Sequence, residues 1–388
     1  MKIVARLVLA LWLAFACVAP ASAGDSQTYS WLQYGADGMP HARVATASRM
    51  CPRLVADGVI IAMRGLIVPS EAFDHALCDA PVPRTAHAIR VGMTRLPAVP
   101  HHPTRIAVLG DTGCRIKGVI VQNCNDPAAW PFARIASAIA RERPELIVHV
   151  GDYQYRESGC LSIDPRCGNT PFGDNWPAWN IDVFAPASPL FATAPILFAR
   201  GNHEDCKRAG IGWSRYLAPD PSPICRDHEA TAIVSFDNLR IANVDSANGD
   251  ERNPDPTTFE RDERGADAAA NGRETWVLTH RPPLAYLAAH AAADPNGPHI
   301  AAILAGHIHT FAALPYPGAP PTLILGTGGD LLSFGETSEI TSVANAVNET
   351  HFGYSIFERT SDGWNVTLHD PDGAVRRRCV LRARTLHC

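Results

Sequence analysis

The predicted architecture is organised around the stretch Leu146-Ile147-Val148-His149-Val150-Gly151-Asp152-Tyr153-Gln154-Tyr155. Its first five residues form a largely apolar run that predicts a buried strand, and the glycine after them begins a turn. Asp152 and Tyr155 follow the strand closely, so a carboxylate and a phenol can turn toward one point above the sheet edge. That point is a candidate functional site.

The same arrangement recurs along the chain, where five apolar runs end in polar turns. These turns are, in chain order, Gly110-Asp111-Thr112-Gly113, Gly151 to Tyr155, Gly201-Asn202-His203-Glu204, Val277-Leu278-Thr279-His280 and Gly306-His307-Ile308-His309. One such turn means little by itself, since aspartate after glycine is common in turns. Because ligands gather at the carboxyl ends of strands in open α/β sheets, we expect the five turns to converge.

From residue 105 onward, apolar runs alternate with helical or irregular stretches, which favours the α/β class. A helix is predicted over Asp126 to Arg143, with Asp126 as its N-cap and Pro144 after its end. The segment at 156–188 is too long for a simple turn and is expected to be a lid or a disulfide-held cover. Apolar runs at 323–325, 354–357 and 364–368 are predicted to complete a second sheet.

Residues 24–100 contain short apolar runs broken by proline and glycine, which predicts a small β-rich N-terminal domain. A proline-rich segment at 96–103 is expected to be a stiff linker, so the catalytic domain would span residues 101–388. A main domain with a smaller companion is the usual organisation for a chain of 388 residues.

Residues 1–23 show the three zones of a secretory signal peptide, which are Lys2 with Arg6, an apolar run at 7–18, and Ala21-Ser22-Ala23. The apolar run is shorter than the ~20 residues of a membrane-spanning helix. We therefore expect cleavage after Ala23 rather than a membrane anchor. The mature protein would be periplasmic or secreted, with no membrane span.

The charge balance argues against nucleic acid as a partner. The chain has 34 basic and 39 acidic residues, and loss of Lys2 and Arg6 leaves 32 basic residues, a net charge of about −7. No basic stripe is present to displace counterions from a nucleic acid.

The cysteine count indicates disulfides. Of eleven cysteines, ten remain after the signal peptide is removed with Cys17, an even number that is typical of an exported disulfide-bonded chain. The alternative, a thiolate metal site, is disfavoured because no Cys-x-x-Cys pair occurs. Proximity along the chain suggests the pairs Cys51 with Cys78, Cys114 with Cys124, Cys160 with Cys167, Cys206 with Cys225, and Cys379 with Cys388.

The five turns together supply donors for metal ions. Carboxylate, amide and phenol oxygens with imidazole nitrogens suit hard or borderline transition metals. Seven donors are too many for one tetrahedral zinc but fit two ions that share a bridging carboxylate. The candidate metal ligands are Asp111, Asp152, Tyr155, Asn202, His280, His307 and His309.

In identity, order and spacing these blocks resemble the metallophosphoesterases, and more narrowly the purple acid phosphatases, over roughly residues 105–310. The wider superfamily has a histidine two residues after its first aspartate, where this chain has Gly113. Tyr155 is what the purple acid phosphatases have instead. The resemblance implies a four-layer α-β-β-α sandwich of two mixed sheets, with the dimetal site at the carboxyl ends of the strands.

The resemblance also implies an assignment of the ligands to two ions. Asp111, Tyr155 and His309 would bind Fe(III), and Asp152 would bridge. A trivalent ion can keep a phenolate deprotonated although the pKa of a free phenol is about 10. The ligands of a divalent ion, which could be iron, zinc or manganese, would be Asn202, His280 and His307.

The activity implied by the resemblance is hydrolysis of a small phosphomonoester by a water that the metals acidify. His203 would give a proton to the leaving oxygen. His290 would grip the phosphate, although a helical reading of its surroundings could equally expose it to solvent. Arg281 replaces a small residue of the family and affects the pocket wall.

Two other functions remain open at this stage. A dimetal phosphodiesterase or nucleotidase of the same superfamily would use two divalent ions, and assays of a monoester beside a diester would separate it. A non-catalytic exported binding protein would use the metals only as braces. Structural metal sites are usually closed, however, whereas hydrolysis needs an open coordination position.

Overall fold

A computed structural model gives the structure of the protein. It describes residues 27–237, 239–249, 273–283, 300–333 and 338–388. The predicted signal peptide at 1–23 and the whole acidic stretch at 250–267 lie outside the described residues.

The first sheet has four parallel strands at its centre and antiparallel strands on both sides. Within the described residues it contains eleven strands. Their spatial order is Thr385–His387 (β24), Val375–Arg382 (β23), Trp364–His369 (β22), Tyr354–Arg359 (β21), Arg105–Leu109 (β9), Leu146–His149 (β12), Ile196–Phe198 (β13), Tyr29–Tyr34 (β1), Pro40–Thr46 (β2), Ala76–Pro81 (β6) and Arg64–Ile67 (β5).

The second sheet is also mixed, with four parallel strands and three antiparallel ones. Seven strands of the described residues form it. Their order is Ala232–Ser235 (β14), Leu239–Asn243 (β15), Glu274–Leu278 (β16), Ile300–Ala305 (β17), Thr322–Leu325 (β19), Phe311–Leu314 (β18) and Val347–Glu349 (β20). The α/β class with mixed sheets is thus confirmed.

The prediction for the last strands was partly wrong. Thr322–Leu325 lies in the second sheet as expected, but Tyr354–Arg359 and Trp364–His369 join the first. Tyr354–Arg359 pairs antiparallel with Arg105–Leu109, whose open edge is available to it. The apolar runs showed that these residues are strands, but a strand pattern does not identify its sheet.

The N-terminal segment is β-rich, as predicted. Strands β1, β2, β5 and β6 extend the first sheet, because β1 pairs parallel with β13. A separate sheet has the order Val59–Ala62 (β4), Arg53–Ala56 (β3), Ile89–Val91 (β7) and Thr94–Leu96 (β8). The domain boundary near residue 100 stays a prediction.

The helix predicted over Asp126 to Arg143 begins later, at Phe132, and ends at Glu142 (α1). Asp126 instead accepts the backbone N–H of Ala128 in a preceding turn at 2.8 Å, and Pro131 lies at the N-cap. The other described helices are Trp176–Trp179 (α2), a π-helix at Asn180–Phe184, Ala185–Phe191 (α3), a 3-10 turn at Asn202–Glu204, Gly210–Tyr216 (α4) and Ser338–Thr341. A short two-stranded ribbon pairs Ile116–Lys117 (β10) with Ile120–Val121 (β11).

Buried apolar residues hold these elements together. One cluster joins the two sheets, with Val108 and Val148 of the first beside Trp276 and Leu304 of the second. A second cluster packs α1, α3 and α4 with residues of the first sheet. All five predicted disulfides are present. Among the described residues, the helices are too short or too polar to cross a membrane.

A buried ion pair ties the segment after β12 to the π-helix. Arg156 Nε lies 2.6 Å from Asp182 Oδ1, and both side chains are at most 1% exposed. The other carboxylate oxygen of Asp182 accepts the backbone N–H of Tyr155 at 3.2 Å. Asp182 therefore fixes both the arginine and the backbone of a candidate site residue.

Asp182→Ala should lower the free energy of unfolding by about 3–5 kcal/mol, because it leaves a buried guanidinium without its carboxylate. Urea denaturation is the measurement. Asp220→Ala, which breaks an exposed pair with Arg226, is the matched control and should cost at most about 1 kcal/mol. Equal effects of the two substitutions would contradict the role given to Asp182.

Candidate metal centre

The five polar turns meet at one place between the two sheets. Asp111, the segment from Asp152 to Tyr155, and Asn202 follow the parallel strands β9, β12 and β13, while His280 and His307 follow β16 and β17. The structure thus brings together all seven side chains that the sequence selected. The distances among them divide them into two groups around Asp152.

Three of these residues have a left-handed backbone. The φ angles are 57° at Asp111, 58° at Asp152 and 73° at His307. Such conformations cost on the order of 1–3 kcal/mol each for residues other than glycine and are common at functional sites. The turns are held by backbone hydrogen bonds, since the N–H of Asp111 donates to the carbonyl of Gly151 at 2.9 Å. The strained turns aim the side chains at one point.

The first group gathers around the Tyr155 phenol. Its hydroxyl lies 3.2 Å from Asp111 Oδ1, 2.8 Å from Asp152 Oδ2 and 3.1 Å from His309 Nε2. His309 Nε2 is 3.3 Å from Asp111 Oδ1. The phenol is completely buried, so these groups are its immediate surroundings.

The second group gathers around the Asn202 amide. Its Oδ1 lies 3.0 Å from His280 Nε2 and 2.7 Å from His307 Nδ1. His280 Nε2 is also 3.1 Å from Asp152 Oδ2. The other ring nitrogen, Nδ1, lies 2.8 Å from the carbonyl oxygen of Val150, which orients the ring.

Asp152 belongs to both groups. Donor atoms of Asp111, Asp152 and His309 lie within 4.8 Å of one another, and so do those of Asp152, His280 and His307. Distances of this size are what donors around a metal ion require, because each metal–ligand bond is roughly 2.0–2.2 Å long. The residues therefore fit two ions that share one carboxylate.

The pKa values reflect this crowding. Burial raises the pKa of Asp152, but His280 and His203 outweigh burial and hold the pKa well below its ordinary value. Burial lowers the pKa of His280, yet Asp152 raises it to about 9. Burial also lowers the pKa of His309, but Asp111 outweighs burial and raises that pKa to about 9.

The Tyr155 phenol is kept protonated by its own protein environment. Burial, followed by the charges of Asp152 and Asp111, raises its pKa well above the ordinary value. Arg115, whose Cζ lies 4.7 Å from the centroid of the Tyr155 ring, lowers this pKa but does not offset burial and the carboxylates. A bound cation would lower the pKa further.

Two glycines are required by the closeness of these turns. A Cβ at Gly113 would lie 2.4 Å from the carbonyl oxygen of Tyr153 and 2.8 Å from Cδ2 of Tyr155. The backbone of Tyr153 and the ring of Tyr155, as they are placed here, therefore leave no room for a side chain at 113. A Cβ at Gly201 would lie 2.1 Å from Asp152 Oδ1.

His203 lies beside the first group. Its backbone N–H donates to Asp152 Oδ1 at 2.8 Å, and its ring centroid is 3.8 Å from that of Tyr155. Nε2 of the ring is 4.0 Å from Asp152 Oδ2. Burial lowers the pKa of His203. His290, the other candidate catalytic residue, lies outside the described residues.

Neighbouring side chains orient the turns. Glu204 Oε1 accepts the backbone N–H groups of Tyr153 and Gln154 at 2.9 and 3.1 Å. Burial and the charge of Asp152 raise the pKa of Glu204 to about 8. His149 Nε2 lies 3.0 Å from Thr112 Oγ1 behind the site.

Sequence reasoning missed three charged residues at the site. Asp330 is buried, lies 3.3 Å from His309 Nδ1 and donates its backbone N–H to the carbonyl of Asp111 at 2.9 Å. It follows strand β19 through a glycine-rich turn, so the strand-end rule could have found it. Glu157 and Arg208, which contact His203, follow no such pattern.

Comparison with known proteins agrees with this fold. The calcineurin-like phosphoesterase profile matches residues 104–311. A purple acid phosphatase from seeds of yellow lupin (Lupinus luteus) is similar in structure, with a TM-score of 0.57 and 12% identity over 91% of this chain and 74% of that one. A structure of PhoD has a TM-score of 0.55 and 11% identity, over 93% and 91%. At these identities the structures support the fold alone. No curated protein matches the chain.

Gly201→Ala should abolish binding of at least one metal ion per chain, because the new methyl group would displace the Asp152 carboxylate. Metal content after loading and desalting, measured by plasma mass spectrometry, is the test. Gly65→Ala, where a Cβ meets only Cys51 Sγ at 3.7 Å, should retain the wild-type content. A folded Gly201→Ala protein with full metal content would contradict the placement of Asp152 between two ions.

Proposed function

Because the chain belongs to the calcineurin-like phosphoesterase family, we propose that it is an exported dimetal phosphatase that hydrolyses phosphomonoesters. The observation that carries the proposal is the pair of donor groups that share Asp152. Five disulfides support export, because such bonds form and persist in oxidising compartments. Gly113 and Tyr155 support the purple acid phosphatase branch of the family.

The proposed ligand assignment follows the two groups. Asp111, Tyr155 and His309 would hold the ferric ion, and Asp152 would bridge. The anionic oxygens lie on the ferric side, which suits a hard trivalent ion. The divalent ion, which could be iron, zinc or manganese, would be held by the neutral donors of Asn202, His280 and His307.

When bound, the two ions supply Lewis-acid activation of the phosphoryl group and of the attacking water. The residues of the chain orient the metal ligands and supply a proton for the leaving oxygen. The backbone N–H of His203 holds Asp152 in place, and the His203 imidazole would protonate the leaving oxygen. Its buried position limits the access of bulk water to that proton.

The proposal predicts a preference for monoesters. Metal-loaded protein should hydrolyse p-nitrophenyl phosphate with a higher kcat/KM than bis(p-nitrophenyl) phosphate. His203→Ala should reduce kcat by roughly 10²–10⁴-fold, the usual contribution of a general acid, while keeping its metals. Asn202→Ala should lose activity together with the divalent ion. A higher kcat/KM for the diester would favour the phosphodiesterase alternative, and a metal-loaded protein inactive on both esters would favour the binding protein.

The ferric assignment predicts colour, because a tyrosinate bound to ferric iron absorbs visible light. Iron-loaded protein should be purple or pink, and Tyr155→Phe should remove the band. Tyr153→Phe is the matched control, since that buried phenol donates to the Ala199 carbonyl and lies outside both donor groups. A colourless protein at full iron occupancy, or an unchanged spectrum of Tyr155→Phe, would contradict the assignment.

A further inference from the structure

One carboxylate next to His203 is shared by three nitrogen-bearing side chains. Glu157 Oε1 lies 2.9 Å from His203 Nδ1, close enough for an ion pair although the two groups are not aligned as a hydrogen bond. Lys117 Nζ lies 3.0 Å from Glu157 Oε2, and Arg208 contacts Oε1 as well. One negative charge thus faces two permanent positive charges.

Arg208 is fixed around the turn that carries two site residues. Its Nη1 donates to the backbone carbonyl of Asn202 at 3.2 Å, and its Nη2 lies 3.0 Å from His203 Nε2. The side chain is 22% exposed, so the guanidinium is partly open to solvent. It therefore lies at the boundary between the candidate metal centre and the outside.

Three other arginines near the site also pair with carboxylates. Arg115 pairs with Asp330, Arg156 with Asp182, and Arg200 with Asp245. Asp330 also faces His309, but that partner is a histidine and not a permanent cation. Arg208 differs because its carboxylate, Glu157, also faces the permanent positive charge of Lys117.

The contact between Arg208 and His203 places the guanidinium at the edge of the candidate metal centre. Arg208 Nη2 lies 3.0 Å from Nε2 of His203, and Nε2 is the ring nitrogen on the side of Asp152. Arginine is a donor only. An ester that reaches His203 would therefore meet the donor groups of Arg208 as well.

We propose that Arg208 is a further substrate-binding residue, whose guanidinium moves from His203 Nε2 to a phosphoryl oxygen of the bound ester. This inference rests on the proposed function. The guanidinium fork matches phosphate oxygens in a bidentate geometry. Glu157 and the Asn202 carbonyl keep the fork near the metal centre while it changes partner.

The test compares Arg208→Gln and Arg208→Lys with wild-type protein, all metal-loaded and checked for metal content and unfolding temperature. Arg208→Gln should weaken binding of inorganic phosphate, measured by isothermal titration calorimetry, by about tenfold or more. KM for p-nitrophenyl phosphate should rise by a similar factor. Arg208→Lys should recover part of both, because it keeps the charge but not the fork. Arg134→Gln, which removes an exposed arginine of α1 paired with Asp372, should change neither.

Unchanged phosphate affinity and KM in Arg208→Gln, with only kcat reduced, would overturn the inference, since Arg208 would then act only through His203. Full recovery by Arg208→Lys would overturn the bidentate contact. These results differ from failure of the proposed function, in which wild-type protein itself hydrolyses no phosphoester.

Discussion

The site depends on one buried carboxylate, that of Asp152. Three turns supply its partners, which are the Tyr155 hydroxyl, the backbone N–H of His203 and the His280 imidazole. A second carboxylate, that of Asp111, lies close by. Burying a charge is costly unless it is paired and hydrogen-bonded. The strands that end at this point must therefore be placed accurately, because the loss of one partner would leave the Asp152 charge without its full compensation.

This constraint explains the unusual backbone and the glycines together. Asp152 has a left-handed conformation, and Gly201 leaves room for its carboxylate, at a position where a Cβ would lie 2.1 Å from Oδ1. The same crowding requires glycine at 113, where a Cβ would meet the carbonyl oxygen of Tyr153 as well as the ring of Tyr155.

The sequence allowed the site to be predicted better than the fold around it. Strand ends followed by Asp, Asn or His are short local patterns, and α/β sheets bring such ends together. Neither the sheet of Tyr354–Arg359 nor the pairing of β1 with β13 has a local signal, because strand pairing over long separations depends on the whole chain. Glu157 and Arg208 were missed for the same reason, since only the folded turns bring them to His203.

The charges of the site also explain why metals and protons would compete for it. His280 and His309 have pKa values raised to about 9 by the carboxylates they face, so at neutral pH they carry protons in the protein's own field. Imidazole binds metals only when neutral, and the Tyr155 phenol must lose its proton as well. Loading two ions would therefore release protons, and metal affinity would fall as the pH falls. Asp152 offsets part of this fall in metal affinity. An ion on either side of its carboxylate would supply the positive charge that a protonated histidine otherwise supplies on that side.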